Sequence, residues 1–352
     1  MTHSLVNLVQ LHPQWGIMII VLMTIIGTFL ATRHGLRVCD VEPGSLPWKW
    51  SLVGGGLSCL LAWSMFQGLG QATPEVQPDE FWRLARFPVH AILIALLVSV
   101  TATDQRTYWI PDSLVLIGIG TGVSIAWISG ETQLIHVWVD WNQEIPQLRG
   151  PYLPLWLSQH PHWHGLAWSL AGIACGAGVT WLARWLSSVA LGVEALGLGD
   201  VTLMAMIGAF LGWQPTLIVF FIAPLCAIGV GIIVRLLGSK TYIPYGPYLS
   251  LAAVLVILFW RHIWMLEIPL SIDPRSGDRA THFAIRRLFG DITELSILLG
   301  ALGGGIVILL GGWRFLRSLP ITQNSTPVSP PVSDSPQPES PEAPDTTPAD
   351  EQ

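Results

Sequence analysis

Charged side chains are scarce in this sequence. Asp, Glu, Lys and Arg make up 11% of its 352 residues, where soluble domains carry about 25%. That scarcity excludes an ordinary water-soluble domain. Cysteine is scarce too. Cys39, Cys59, Cys175 and Cys226 stand far apart, with no Cys-x-x-Cys pair. Three of them lie in apolar runs, where free Cys behaves as a small hydrophobe, so neither a zinc site nor a disulfide framework is expected. No excess of positive charge is present either, for the net charge is -6. Six of the 23 acids sit in Ser318–Gln352, which has no Lys or Arg; the remaining 17 equal the 17 bases. Nothing points to nucleic acid. What the chain has in quantity is apolar surface: 51% hydrophobic residues and a mean hydropathy of +0.54. Its repeated apolar runs approach the roughly 20 residues that span a bilayer. The fold class implied is all-α, a polytopic transmembrane helical bundle in a lipid bilayer.

Taken in order, the first apolar run covers Trp15 to Ala31. No basic residue precedes it and no small-residue cleavage site ends it, so it does not read as a cleaved signal. Arg33, Arg37 and Lys49 place the following loop in the cytoplasm. Further spans are expected at about 51–70, 87–103, 113–128, 166–187, 216–237, 248–265 and 294–313. Residues 201–213 form a shorter run that crosses only with tilt or local thinning. Gln214-Pro215 is expected to break it from the next span. The total is eight to nine spans. Residues 130–165, rich in Pro and Trp, read as an external loop lying against the membrane surface. The tail from Ser318 holds nine prolines among Ser, Thr and acids and is expected to be disordered. Glycines recur at helix-packing spacing, notably Gly172 with Gly176 and Gly208 with Gly212, a bundle-forming pattern without catalytic content.

Two acids stand out. Asp200 follows Gly197-Leu198-Gly199 at the mouth of an apolar segment, and Asp104 ends another. An ionisable residue at the edge of hydrocarbon is a functional-site hypothesis by default. On the derived topology both lie at the cytoplasmic face. Two close carboxylates share a proton, one accepting from water while the other protonates a carbonyl oxygen. That is aspartyl-protease chemistry. Each acid also fits an ordinary helix-end role, with Asp200 as N-cap for a helix from Val201.

The motifs around these acids resemble those of type IV prepilin peptidases. Asp104-Gln-Arg-Thr-Tyr-Trp-Ile-Pro-Asp112 looks like the family's first active-site motif. Gly197-Leu-Gly-Asp200 with downstream Gly208, Gly212 and Trp213 looks like its second, and Ile243-Pro-Tyr-Gly-Pro247 like a third segment. Gly27-Thr-Phe-Leu30 is a fainter match in the first helix. The resemblance covers about residues 85–265. It implies an integral-membrane aspartyl endopeptidase of the bacterial cytoplasmic membrane. Such an enzyme cuts the short basic leader from type IV prepilins or type II secretion pseudopilins, with no cofactor and no metal. Asp104 and Asp200 match the catalytic aspartates, and Gly197 and Gly199 the motif glycines. Asp112 reads as a cap for the span it opens, and Pro244, Gly246 and Pro247 as residues that shape the site. The domains follow: 1–84 N-terminal helices and loops, 85–265 the peptidase-like membrane domain, 266–317 an external loop and last helix, 318–352 the tail.

This sequence departs from the family in two places. The usual Lys two residues after Gly-x-Gly-Asp is Thr202, for which Arg106 is expected to compensate in part. The segment Arg33–Lys49 is too short for the paired Cys-x-x-Cys domain associated with methylation in many bacterial members, so cleavage without N-methylation is expected. Two alternatives stay open: a catalytically degenerate component of pilus or secretion machinery, and a related Gly-x-Gly-Asp intramembrane protease with another substrate. A proton-relay transporter is disfavoured, because no internal repeat is visible. His160, His162 and His164 read as an interfacial loop rather than a metal site, and Asp273, Arg275, Asp278 and Arg279 as a solvated turn.

Overall fold

A computed structural model describes residues 13–68, 70–76, 80–145, 150–152, 154–191, 196–237, 244–271, 281–297, 299–300 and 303–304. Eight long or medium helices dominate: α1 Pro13–Val38, α2 Leu46–Phe66, α3 Glu80–Thr107, α4 Asp112–Ser129, α6 Pro161–Leu191, α7 Leu198–Leu211, α8 Trp213–Leu236 and α9 Gly246–Trp264. Short elements join them at one end. They are the hairpin β1 Asp140–Ile145 with β2 Gly150–Tyr152, the single turn α5 Leu155–Gln159, the hairpin β3 Glu267–Ser271 with β4 Thr281–Ala284, and α10 Ile285–Leu288. Among the described residues six helices are long and apolar enough to cross a membrane: Gln14–Val38, Leu84–Thr107, Asp112–Ser129, Pro161–Val189, Trp213–Leu236 and Gly246–Trp264. Each of eight expected spans has its helix. The ninth, at 294–313, lies mostly outside the described residues, as do the tail and the charged turn at 273–279.

α7 is the axis of the bundle. At 14 residues it is too short to cross upright, yet Leu203 through Leu211 are all buried. It is apolar on every side because neighbours cover every side. It touches α6, α4, α8, α9 and α3. Protein rather than lipid surrounds it, so its shortness needs no thinning of the bilayer. Glycine lets the neighbours come this close. A β-carbon on Gly172 of α6 would run into the Gly208 carbonyl oxygen of α7, and one on Gly208 into the Gly172 carbonyl. Gly176 lies in the same way against the Met204 carbonyl, and Gly118 and Gly122 of α4 against Met206 and Ala209. Backbone contact of this kind is how helices gain packing energy in lipid.

Two boundaries differ from the sequence reading. The break after α7 falls at Gly212, whose φ of 78° is open to glycine at little cost. Gln214 and Pro215 are already in the first turn of α8, where a proline costs no intrahelical hydrogen bond. The expected external loop 130–165 is also shorter than that. α5 and the first turn of α6 occupy its end, so the histidine run starts a helix. His164 is buried, and its Nε2 accepts the Val137 N–H at 3.1 Å. His162 Nδ1 donates to the Trp127 carbonyl at 2.9 Å. These rings tie the loop to the bundle. Trp213 Nε1 on Val137 O (2.7 Å) and Gln214 Nε2 on His136 O (2.9 Å) tie it from the other side.

Candidate active site

The site lies at the end of the bundle opposite those loops. α3 ends there, α4, α7 and α9 begin there, and α6 arrives from the far side. Three local features bring the chain round. Tyr108 takes a left-handed φ of 56°, which stops α3. Pro111 then serves as extended N-cap of α4. After α6, Gly197 is the extended N-cap of α7.

Asp104 and Asp200 are both buried, at 4% and 8% exposure. They come from α3 and α7 and lie close enough for the charge of Asp200 to act on Asp104. Each carboxylate is held by one backbone group. Asp200 Oδ2 accepts the Gly197 N–H at 3.0 Å. Asp104 hydrogen-bonds the backbone of Gly246, the first residue of α9. Asp200 is therefore not the N-cap expected. It stands at the third helical position and reaches back to the true cap, as in a capping box. Leu198 at the start of α7 is exposed, and Asp200 is the first residue of the helix to be buried, ahead of the covered stretch Leu203–Leu211.

The glycines have different duties. A β-carbon on Gly246 would stand 2.5 Å from Asp104 Oδ2, so only glycine admits the carboxylate there. One on Gly199 would meet Ile110 Cβ at 3.1 Å. The Ile110 side chain also lies 3.2 Å from that Gly246 position. It wedges between the starts of α7 and α9, beside both acids. Gly197 has more room, its β-position 3.6 Å from Asp200 Oδ2. Pro244 and Pro247 are buried, and Pro247 sits in the first turn of α9. Ile243 lies outside the described residues.

Asp112 stands apart. It opens α4 as a first-turn acid, but it is exposed, and Pro111 rather than Asp112 is the cap. Its carboxylate therefore suits the helix dipole without the capping bond expected of it. Arg106 is exposed as well. The cation that acts on Asp200 is Arg184, near the end of α6. Thr202, at the position of the family lysine, donates its hydroxyl to the Gly199 carbonyl at 3.0 Å. Tyr245 is the third unforeseen participant. Burial, then the charge of Asp200, then Cys226 push its phenol up to about 12. It stays a neutral hydrogen-bonding group at any ordinary pH. Among the described residues no group of three His, Cys, Asp or Glu is arranged to hold a metal ion.

Two buried carboxyls that act on one another are the groups general acid–base chemistry needs. Comparison with known proteins places the chain beside a peptidase family. Residues 91–233 match the Type IV leader peptidase family. The chain is 29% identical over 192 residues to a prepilin leader peptidase/N-methyltransferase of Aeromonas salmonicida, covering 52% of this chain and 62% of that protein. It is 30% identical over 186 residues to the protein of that name in Pseudomonas aeruginosa (51% and 60%). With the Burkholderia pseudomallei protein of that name it shares 25% over 177 residues (49% and 47%). The match thus spans less than two thirds of each of these relatives. No solved structure matches the chain.

Proposed function

We propose that this membrane protein, whose residues 91–233 match the Type IV leader peptidase family, is an aspartic endopeptidase. It removes the short basic leader from type IV prepilins or type II secretion pseudopilins. The observation that carries the reading is the meeting of Asp104 and Asp200, from two helices, at one end of the bundle. Each is buried and each has one backbone hydrogen-bond partner. A structural acid at a helix end needs no second acid beside it. Two carboxylates at one point are costly unless they share a proton.

The chemistry follows. One carboxylate takes a proton from the water between the pair. The water oxygen attacks the scissile carbonyl carbon, and the protonated partner gives its proton to the carbonyl oxygen. The tetrahedral intermediate collapses as the C–N bond breaks and the leaving amine takes up a proton. Backbone N–H groups of Gly197 and Gly246 keep the two carboxyls oriented, which is where much of the rate comes from.

The same end of the bundle carries Arg33, Arg37, Lys49 and Arg235, at or beside the ends of α1, α2 and α8. That charge supports a cytoplasmic face for the site in a bacterial inner membrane. A leader that stays in the cytoplasm would reach it there.

The test is cleavage of a co-expressed prepilin in membranes, read as a gel shift, by wild type, Asp104→Asn and Asp200→Asn. Cleavage by wild type and by neither variant supports the proposal. Cleavage by either variant removes that aspartate from the chemistry.

A further inference from the structure

The peptide between Leu196 and Gly197 is bonded at both ends. Its N–H, belonging to Gly197, donates to Asp200 Oδ2 at 3.0 Å. Its carbonyl oxygen, belonging to Leu196, accepts from Arg184 Nη1 at 2.6 Å. Guanidinium, peptide and carboxylate form one hydrogen-bonded file. A cation at the carbonyl end polarises the peptide, and a polarised peptide is a stronger donor at its other end. Arg184 also acts through space on the Asp200 charge.

Among the described residues Asp104 has nothing equivalent. One backbone group holds it, and the neighbouring charge it feels is that of Asp200 itself. Arg106, on its own helix, is exposed. Tyr245 feels the charge of Asp200 and is itself a neutral phenol, not a cation. The two acids have matching places in the sequence and unequal places in the fold: among the described residues a cation backs Asp200 and none backs Asp104.

We propose that Arg184 is a positioning residue that acts through the Leu196–Gly197 peptide to hold Asp200 as the ionised member of the pair. The roles then divide. Asp200 is the base that takes the water proton, and Asp104 is the acid that protonates the carbonyl oxygen. On collapse Asp200 returns its proton to the leaving amine. Asp104 recovers one from the hydroxyl of the tetrahedral carbon, so both groups end as they began. This inference rests on the aspartic-peptidase reading above and deepens it.

The experiment is steady-state cleavage of a purified prepilin by the full-length protein in detergent, across pH 5 to 9, for wild type, Arg184→Gln, Arg184→Lys and Asp200→Asn. Arg184→Gln is expected to lower kcat by about tenfold or more, because the Leu196–Gly197 peptide that holds the base loses its charge-assisted bond. KM should stay within about twofold, since uniform binding is untouched. The acidic limb of the kcat profile should move to higher pH, because removing a cation lets the base hold its proton longer. Arg184→Lys should restore most of the rate and the limb. Full activity in Arg184→Gln with an unmoved limb overturns the inference. So does an equal loss in both Arg184 variants with an unmoved limb, which is the mark of a purely structural tie. The parent reading fails separately, on an inactive wild type or an active Asp200→Asn, and the inference then falls with it.

Discussion

Gly246 and Asp104 meet where a side chain would not fit: a β-carbon at position 246 would stand 2.5 Å from Asp104 Oδ2. The same glycine supplies the backbone hydrogen bond to that carboxylate. Gly246→Ala should therefore displace Asp104 while leaving the helix start, already set by Pro247, in place. A catalytic group moved by about 1 Å can lose a factor of about 100 in rate. Cleavage by Gly246→Ala should fall by at least that order, with a melting temperature close to wild type. Gly229→Ala, with nothing within 4 Å of its β-position, is the control. Activity retained in Gly246→Ala would separate Asp104 from the reaction geometry.

Much of this site was legible in the sequence. Asp104 and Asp200 each end or begin an apolar run, and hydropathy alone puts both at one face. The helices at eight of the expected spans followed from the same signal, since only helices satisfy their own backbone in lipid. The cap of α7 was misread because any acid before an apolar run resembles an N-cap. Only the backbone angles reveal that Gly197 holds that place. Arg184 was invisible for a different reason. It contacts the Leu196 carbonyl, and a side chain bonded to backbone leaves no pattern of matching residues. Ile110 and Tyr245 lay inside quoted motifs, yet nothing in spacing says which motif residue wedges between two helices.

Asp112 is the acid that should not matter for chemistry. It is exposed and opens α4. Asp112→Asn should cleave within about threefold of wild type and lose at most about 1 kcal/mol, the worth of a first-turn charge against the helix dipole. Parallel rate and melting measurements would check both. A collapse of rate to the level of Asp104→Asn would bring Asp112 into the site.

The crossing of α6 and α7 makes a prediction about stability alone. A β-carbon on Gly208 would enter the Gly172 backbone, whereas one on Gly178 would meet nothing within 4 Å. Overpacking a tight contact costs about 1–3 kcal/mol, and a backbone obstacle has less room to yield than a side chain. Gly208→Ala should lower the melting temperature in detergent clearly, and Gly178→Ala should leave it unchanged. Equal effects would mean that the two helices do not touch at this point.

The last prediction concerns acid. His136 sits in the loop that Trp213 and Gln214 hold to the bundle. Its ring centroid lies 5.3 Å from that of His164. Burial pushes its pKa down from the ordinary value, a hydrogen bond to the Glu75 backbone pulls it up in part, and Arg86 pushes it down again. The folded protein thus prefers the neutral ring, while the unfolded chain takes up a proton near its ordinary 6.5. Where the unfolded state binds more protons, stability rises with pH. The contribution of His136 is complete above about 6.5 and is lost as pH falls below it. Melting temperature should decline between pH 7.5 and 5. His136→Gln, which cannot titrate, should start lower and decline less steeply. A variant that declines as steeply as wild type would show that other groups carry the acid limb and that the loop's hold on the bundle does not depend on this ring.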